Sequence, residues 1–305
     1  KWKVIMKTVL NGIIPPLVTP LLDNDTLDVE GLERLIEHVV AGGVHGIFIL
    51  GTTGEAQSLS FSLREEMIKQ TSKILKERLP LLVGISDTSL SDSIRLSYSA
   101  AEYGADAVVS AAPYYFAAAQ PELIDFYEAL IPKIALPTYL YNMPTHTKVS
   151  FAPSTLYRLS ENEKVLGFKD SSANGTYLQS IIYTMREKKD FSIFVGPEEM
   201  TAEAVLMGAS GGVNGGANMF PKLYVDLYNA AKAEDIETVR KLQLNVMQIS
   251  TTIYAQGKYG SSFLKGVKCA LSLLGICSDT LALPFAKFDG EERIKISEAI
   301  AKLDL

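Results

Sequence analysis

The stretch Gly46-Ile-Phe-Ile-Leu50, running into Gly51-Thr52-Thr53-Gly54-Glu55 and then into the periodic run Leu63 to Lys76, decides how this chain folds. A short β-branched run, a glycine-bearing turn and a segment with apolar residues every three or four positions make one strand–turn–helix unit of a parallel sheet. The unit recurs on both sides. Strands are predicted at Gly12 to Leu17, Gly46 to Leu50, Leu81 to Ile85, Ala107 to Ala111, Pro137 to Tyr141, Val165 to Lys169, Phe191 to Val195 and Gly211 to Asn214. Helical periods lie between them at Val29 to Val40, Leu63 to Lys76, Ser91 to Tyr103, Pro121 to Ile131, Thr176 to Lys188 and Glu199 to Met207. Eight strands in such an alternation predict a closed (β/α)8 TIM barrel, a fold that takes about 250 residues. An open doubly wound sheet is the rival, but no G-x-G-x-x-G follows the first strand and no G-x-x-x-x-G-K phosphate loop is present.

Beyond Phe220 the strand signal ends, and helices are predicted at Leu223 to Ala233, Ile236 to Tyr254, Ser261 to Leu274 and Glu291 to Leu303. The expected organisation is an N-terminal extension over 1–11, a barrel core over 12–220, and the last barrel helix with a C-terminal helical region over 221–305. No low-complexity linker divides them.

The 305 residues, 47% hydrophobic and 21% charged, suffice for a large core. A formal net charge of −6 argues against a nucleic-acid partner, which requires clustered Lys and Arg. No apolar run is long enough to span a bilayer or serve as a signal peptide, so a cytoplasmic protein without membrane contact is expected. Cys269 and Cys277 suit neither a disulfide framework nor a C-x-x-C site and are read as helix-core residues. His38, His45 and His146 lack ligand spacing, so no metal is expected. No G-x-S-x-G elbow is present for a serine nucleophile.

In such barrels the reactive groups stand at the C-terminal ends of the strands. The Gly51 to Glu55 turn is either a small-anion cradle or a strand–helix turn with a threonine cap. Tyr115 and Tyr141 follow two other strands, as rim phenols or as packed aromatics. The sixth strand, Val165-Leu-Gly-Phe-Lys169-Asp170, carries a lysine that alternation points into the barrel mouth. A lysine of ordinary pKa, about 10.4, is unprotonated roughly once in two thousand at neutral pH. A desolvated amine is a Schiff-base nucleophile, whereas one paired with Asp170 stays a cation.

The motifs G-T-T-G-E at Gly51 to Glu55, P-Y-Y at Pro113 to Tyr115, Y-N-x-P at Tyr141 to Pro144 and G-x-K-D at Gly167 to Asp170 occur in an order that resembles the dihydrodipicolinate synthase / N-acetylneuraminate lyase family. The resemblance runs from about Gly12 to the C-terminal helices. It implies a class I aldolase, without metal or organic cofactor, that is a homo-oligomer, usually a tetramer built as a dimer of dimers. By that resemblance Lys169 forms the imine with pyruvate or another 2-oxo acid, and Tyr141 shuttles protons. Thr52 and Thr53 hold the carboxylate, Tyr115 reaches into a neighbouring subunit's site to complete a Thr and Tyr relay, and the main chain near Gly196 and Val213 lines the pocket.

Two departures bear on the second substrate, an aldehyde. Synthase members carry an arginine two positions after Y-N-x-P, to grip a carboxylate; here Thr145 is followed by His146, which has no guanidinium fork. Glu198 and Glu199 resemble the acidic pair with which sialic-acid lyases meet a polyhydroxylated tail, or else they open a helix. Phe61 and Arg64 replace histidines of a feedback lysine site, which implies no inhibition by lysine. The leading expectation is cleavage or synthesis of a 2-oxo-3-deoxy sugar acid or 4-hydroxy-2-oxo acid. The alternatives are dihydrodipicolinate synthase itself, a dehydratase using the same imine, and a non-catalytic barrel that binds a 2-oxo acid.

Overall fold

The predicted alternation is the observed one. The structure, a computed structural model, describes residues 9–304, so most of the extension expected over 1–11 lies outside the described residues. In chain order the elements are β1 (Gly12–Ile13), α1 (Val29–Ala41), β2 (Ile47–Ile49), α2 (Phe61–Leu75), β3 (Leu81–Gly84), α3 (Leu90–Glu102), β4 (Ala107–Ala111) and α4 (Gln120–Leu130). They continue with β5 (Thr138–Asn142), α5 (Pro144–Thr147), α6 (Pro153–Leu159), β6 (Val165–Asp170), α7 (Gly175–Met185), β7 (Ser192–Val195), α8 (Thr201–Leu206) and β8 (Gly211–Gly212). Four helices follow: α9 (Pro221–Lys232), α10 (Ile236–Thr252), α11 (Ser262–Leu273) and α12 (Gly290–Ala301).

All strand pairings are parallel, in the order β1-β8-β7-β6-β5-β4-β3-β2. The ring closes where Leu17 N donates to Phe48 O (2.8 Å) and Phe48 N to Pro15 O (3.1 Å). This is a (β/α)8 TIM barrel with C-terminal helices. Adjacent prolines explain why β1 stops at Ile13 rather than Leu17: Pro15 and Pro16 have no N–H to donate, and only a bridge from Pro16 to Phe48 survives.

Alternation along the strands divides the apolar residues between two cores. Ile47, Ile49, Val83 and Phe168 face the helices, while Phe48, Leu82, Tyr139, Tyr141 and Phe194 fill the barrel. Gly167 is glycine for a packing reason: a Cβ there would stand 2.6 Å from the Tyr139 ring and 2.5 Å from Ser192 O. Helix starts are set by side-chain caps, with Asp28 accepting from Gly31 N (2.8 Å), Asn174 from Tyr177 N (3.0 Å) and Asp235 from Thr238 N (3.1 Å). Each such cap contributes about 1 kcal/mol.

Sequence reading departs from the structure in three further places. The sequence predicts no helix between β5 and β6, where α5 and α6 stand; both are short and begin at a proline, so neither offers enough turns for a periodic signal. The helix expected from Glu199 opens as a tight turn over Glu198–Met200 before α8. Cys277 lies past the end of α11 rather than inside a helix, although both cysteines are buried. Among the described residues no helix is long and apolar enough to cross a membrane.

Candidate active site

The C-terminal ends of the strands open into a cavity of about 830 Å³. Thr52 and Thr53, Tyr141, His146, Lys169, Gly196, Glu198, Glu199 and Val213 all line it. Of the residues expected to take part in catalysis or substrate binding, Tyr115 alone is absent from the lining.

Lys169 arrives from β6, in register with Tyr141 of β5 and Phe194 of β7. Residues level with each other on parallel strands share a face, so all three point inward. The lysine is 7% exposed, and its Nζ lies 3.7 Å from the centre of the Tyr141 ring and 5.8 Å from that of Phe48. The alternative pairing with Asp170 is not formed. Asp170 turns to the other face, where its carboxylate accepts from Asn142 Nδ2 (2.8 Å), Ser172 N (3.0 Å) and Ser172 Oγ (2.9 Å). None of the ion pairs among the described residues involves Lys169.

The Tyr141 hydroxyl lies 3.3 Å from Thr52 Oγ1. Burial pushes the phenol up, but the Lys169 charge and hydrogen bonds with Thr52, Lys169 and Ser171 outweigh it and hold the pKa below the usual 10. Its proton is therefore more mobile than an ordinary tyrosine's.

The threonine turn is a strained piece of backbone. Leu50 and Glu55, neither of them glycine, sit in left-handed conformation at φ 58 and 57. Gly54 N bonds to Gly51 O (3.1 Å) and Glu55 N to Thr52 O (3.0 Å), while among the described residues no backbone bond uses the Thr52 or Thr53 N–H. Two free amides with two hydroxyls beside a lysine form a receptor for a small carboxylate.

Under this turn lies a feature the sequence did not reveal. Glu55 is 5% exposed; it accepts from Ala282 N (2.9 Å) and ion-pairs with Lys268 of α11, whose Nζ also donates to Thr280 O (2.7 Å). Burial pulls the Lys268 pKa down and the Glu55 charge works against it. Truncating one partner strands the other in the interior. Glu55→Ala is expected to cost about 3 to 5 kcal/mol, and the double replacement Glu55→Leu with Lys268→Met is expected to recover most of that loss, as read by denaturant melts.

The carboxylate pair separates. Glu199 keeps part of its surface at the cavity, with Oε1 accepting from Ser250 Oγ (2.5 Å). Glu198 is 3% exposed and both its oxygens are taken by protein donors: Gly216 N (2.8 Å), Tyr254 OH (2.8 Å) and Tyr224 OH. It is therefore not free to meet sugar hydroxyls as the sequence suggested. His146, in α5, stands exposed at the cavity with Nδ1 3.0 Å from Thr145 Oγ1, and partial desolvation lowers its pKa from the usual 6.5. Tyr254, Tyr259, Phe263 and Phe285 complete an aromatic wall supplied by the C-terminal helices and their connections, which no local pattern marked as functional. Among the lining residues Lys169 is the sole lysine or arginine.

Tyr115 stands apart, 72% exposed with φ 82, its carbonyl accepting from Lys148 Nζ (2.8 Å). Within one chain it does not reach the cavity. Among the described residues no group of three His, Cys, Asp or Glu side chains is placed to hold a metal ion.

Comparison with known proteins agrees with this geometry. The probable 2-dehydro-3-deoxy-D-pentonate aldolase YjhH of Escherichia coli (strain K12) is 30% identical over 276 residues, 90% of each chain. The 4-hydroxy-tetrahydrodipicolinate synthase of Geobacter sulfurreducens is 31% identical, over 96% of this chain and 99% of that one. The structure of dihydrodipicolinate synthase from Bacteroides thetaiotaomicron superposes with a TM-score of 0.95 at 66% identity, covering 99% of this chain and all (100%) of the other. YagE, a prophage protein of E. coli K12 solved in complex with pyruvate, superposes at 0.92 with 26% identity, over 98% and 100% of the two chains. A model of the dihydrodipicolinate synthetase family matches residues 9–303, and the chain belongs to that family.

Proposed function

We propose that the protein is a pyruvate-dependent class I aldolase that cleaves, or in reverse assembles, a 2-oxo-3-deoxy sugar acid or related 4-hydroxy-2-oxo acid. The observation that carries the reading is the position of Lys169: one amine beside the Tyr141 phenol, in a cavity shared with Thr52 and Thr53, whose amides no backbone bond among the described residues uses, and with no other ammonium or guanidinium among the described lining residues. The Lys169 amine attacks the 2-oxo carbon, Tyr141 protonates the departing hydroxyl, and loss of water leaves a protonated imine beside a Tyr141 phenolate. Tyr141 takes the proton of the C4 hydroxyl as the C3–C4 bond breaks, the aldehyde departs, and the bonding pair is held as an enamine. Protonation at C3 and hydrolysis release pyruvate and restore the lysine. The cycle as proposed needs no metal or organic cofactor.

His146, with its lowered pKa and no guanidinium fork to grip a carboxylate, supports an uncharged aldehyde. Glu199, with Ser250, offers acceptors and a donor suited to hydroxyls. The second reading, dihydrodipicolinate synthase, draws its support from the 66% identity to the Bacteroides thetaiotaomicron structure. The relation to the pentonate aldolase supports the first.

Borohydride reduction in the presence of pyruvate is expected to add one reduced pyruvyl group to Lys169, located by peptide mass; an unlabelled Lys169 would remove every imine-based reading and favour a barrel that only binds a 2-oxo acid. A panel of aldehydes with pyruvate then separates the two. Turnover of glycolaldehyde and sugar-derived aldehydes supports the lyase, and turnover of aspartate semialdehyde alone supports the synthase.

The reading includes a homo-oligomer, a tetramer of paired dimers. Tyr115 and Phe116, 72% and 80% exposed and stacked edge-on at 5.1 Å, offer an aromatic knob to a second copy. That copy would bring Tyr115 to a Thr53-lined site.

A further inference from the structure

Glu198 stands in the wall of the cavity while giving its carboxylate to the protein. From the turn after β7 it binds three other parts of the fold: Gly216 N in the turn after β8, on Oε2, and the hydroxyls of Tyr224 in α9 and Tyr254 just beyond α10, both on Oε1. Two of these connections are to the cavity itself. Gly215 and Tyr254 line it, and the Tyr254 ring packs edge-on at 4.7 Å against Phe263, which lines it too. The join is close: a Cβ on Gly216 would lie 2.0 Å from Tyr224 OH and 2.6 Å from Glu198 Oε1.

The amide takes one carboxylate oxygen and the two hydroxyls share the other, so a single side chain holds three segments. The groups facing Glu198 are Glu199 on its own turn, Tyr224 from α9, Tyr254 from beyond α10 and the Gly216 N–H, with no cation among these. Burial therefore dominates, aided by repulsion from Glu199, and pushes the acid up to about 7 against the lowering effect of the three hydrogen bonds.

We propose that Glu198 is a positioning residue for the end of the cavity that receives the second substrate, joining the Gly215–Gly216 turn to the Tyr254–Phe263 wall. It touches none of the reacting atoms, which lie at Lys169 and Tyr141. The inference rests on the reading of the site as an imine-forming aldolase, so its test has one arm that needs no substrate.

That arm is amide hydrogen exchange, corrected for the intrinsic effect of pH, on peptides covering 213–219 and 250–258. In the unmodified protein their protection is expected to rise as pH drops through about 7, because the closed fold binds the acid's proton more tightly than an opened, solvated one does. In Glu198→Gln it is expected to be low and independent of pH across the same range. The second arm is steady-state cleavage of 2-dehydro-3-deoxy-D-pentonate. Glu198→Gln is expected to raise KM about tenfold above neutrality, with kcat within about threefold and borohydride labelling of Lys169 by pyruvate retained. Tyr254→Phe, which removes one donor and spares the acid, is expected to raise KM by a smaller factor and to keep the pH dependence. Wild-type exchange and its pH dependence in Glu198→Gln would overturn the proposal, as would loss of pyruvate labelling in that variant at unchanged KM. Absence of labelling in the unmodified protein would instead defeat the aldolase reading and leave the exchange arm to decide the role of Glu198.

Discussion

Substituting Lys169 by methionine is expected to lower kcat/KM by about 10⁴-fold or more while leaving the melting temperature unchanged or raised. The two halves have different causes. Among the lining residues no second amine or guanidinium stands in the cavity, so nothing else there can form the imine that makes the C3–C4 bond labile. Stability does not suffer because Lys169, 7% exposed, forms no ion pair among the described residues that would be broken. Methionine keeps the length of the stem against Phe48 and Tyr141 and ends the desolvation cost of an ammonium held away from water. Activity and thermal melting measured together check this. A collapse of the melting temperature would mean that the ammonium is a structural group, and measurable imine formation would mean that another nucleophile serves.

Tyr141→Phe is expected to reduce kcat by about 10²- to 10³-fold, within the range for a positioned acid–base group, with pyruvate binding little changed. Phenylalanine preserves the ring over which Lys169 lies and removes only the hydroxyl near Thr52. The sign of the pH effect follows from the phenol's environment. Burial alone would raise its pKa, but the Lys169 charge and the hydrogen bonds bring it below 10. A reaction that needs the protonated phenol as donor loses rate as pH rises through that lowered value. The unmodified enzyme is therefore expected to show an alkaline limb below pH 10, and Tyr141→Phe is expected to lack it. Persistence of the same limb in the variant would assign it to another group.

Much of this was legible in local sequence. Alternation along the sixth strand aimed Lys169 at the barrel mouth, whereas the structure decided that Asp170 turns to the other face and bonds Asn142 and Ser172 instead of the lysine. The glycine-bearing turn at Gly51 to Glu55 announced a place where backbone N–H groups could be left for a ligand. Short elements were harder to read: α5 and α6 hold too few turns to declare a period, and the proline pair at Pro15 and Pro16 cut β1 below its expected length.

What the chain order and side-chain pattern determined by themselves were the barrel, its reactive end and the lysine that stands there, because each follows from interactions within a dozen residues. The tertiary structure alone decided which acids are occupied and which remain for a substrate. Glu55 meets Lys268, and Glu198 meets Tyr224 and Tyr254, only when distant helices close over the strand ends. A buried charge takes whatever partner the fold delivers, and no periodicity in the sequence encodes a meeting between residues so far apart in the chain.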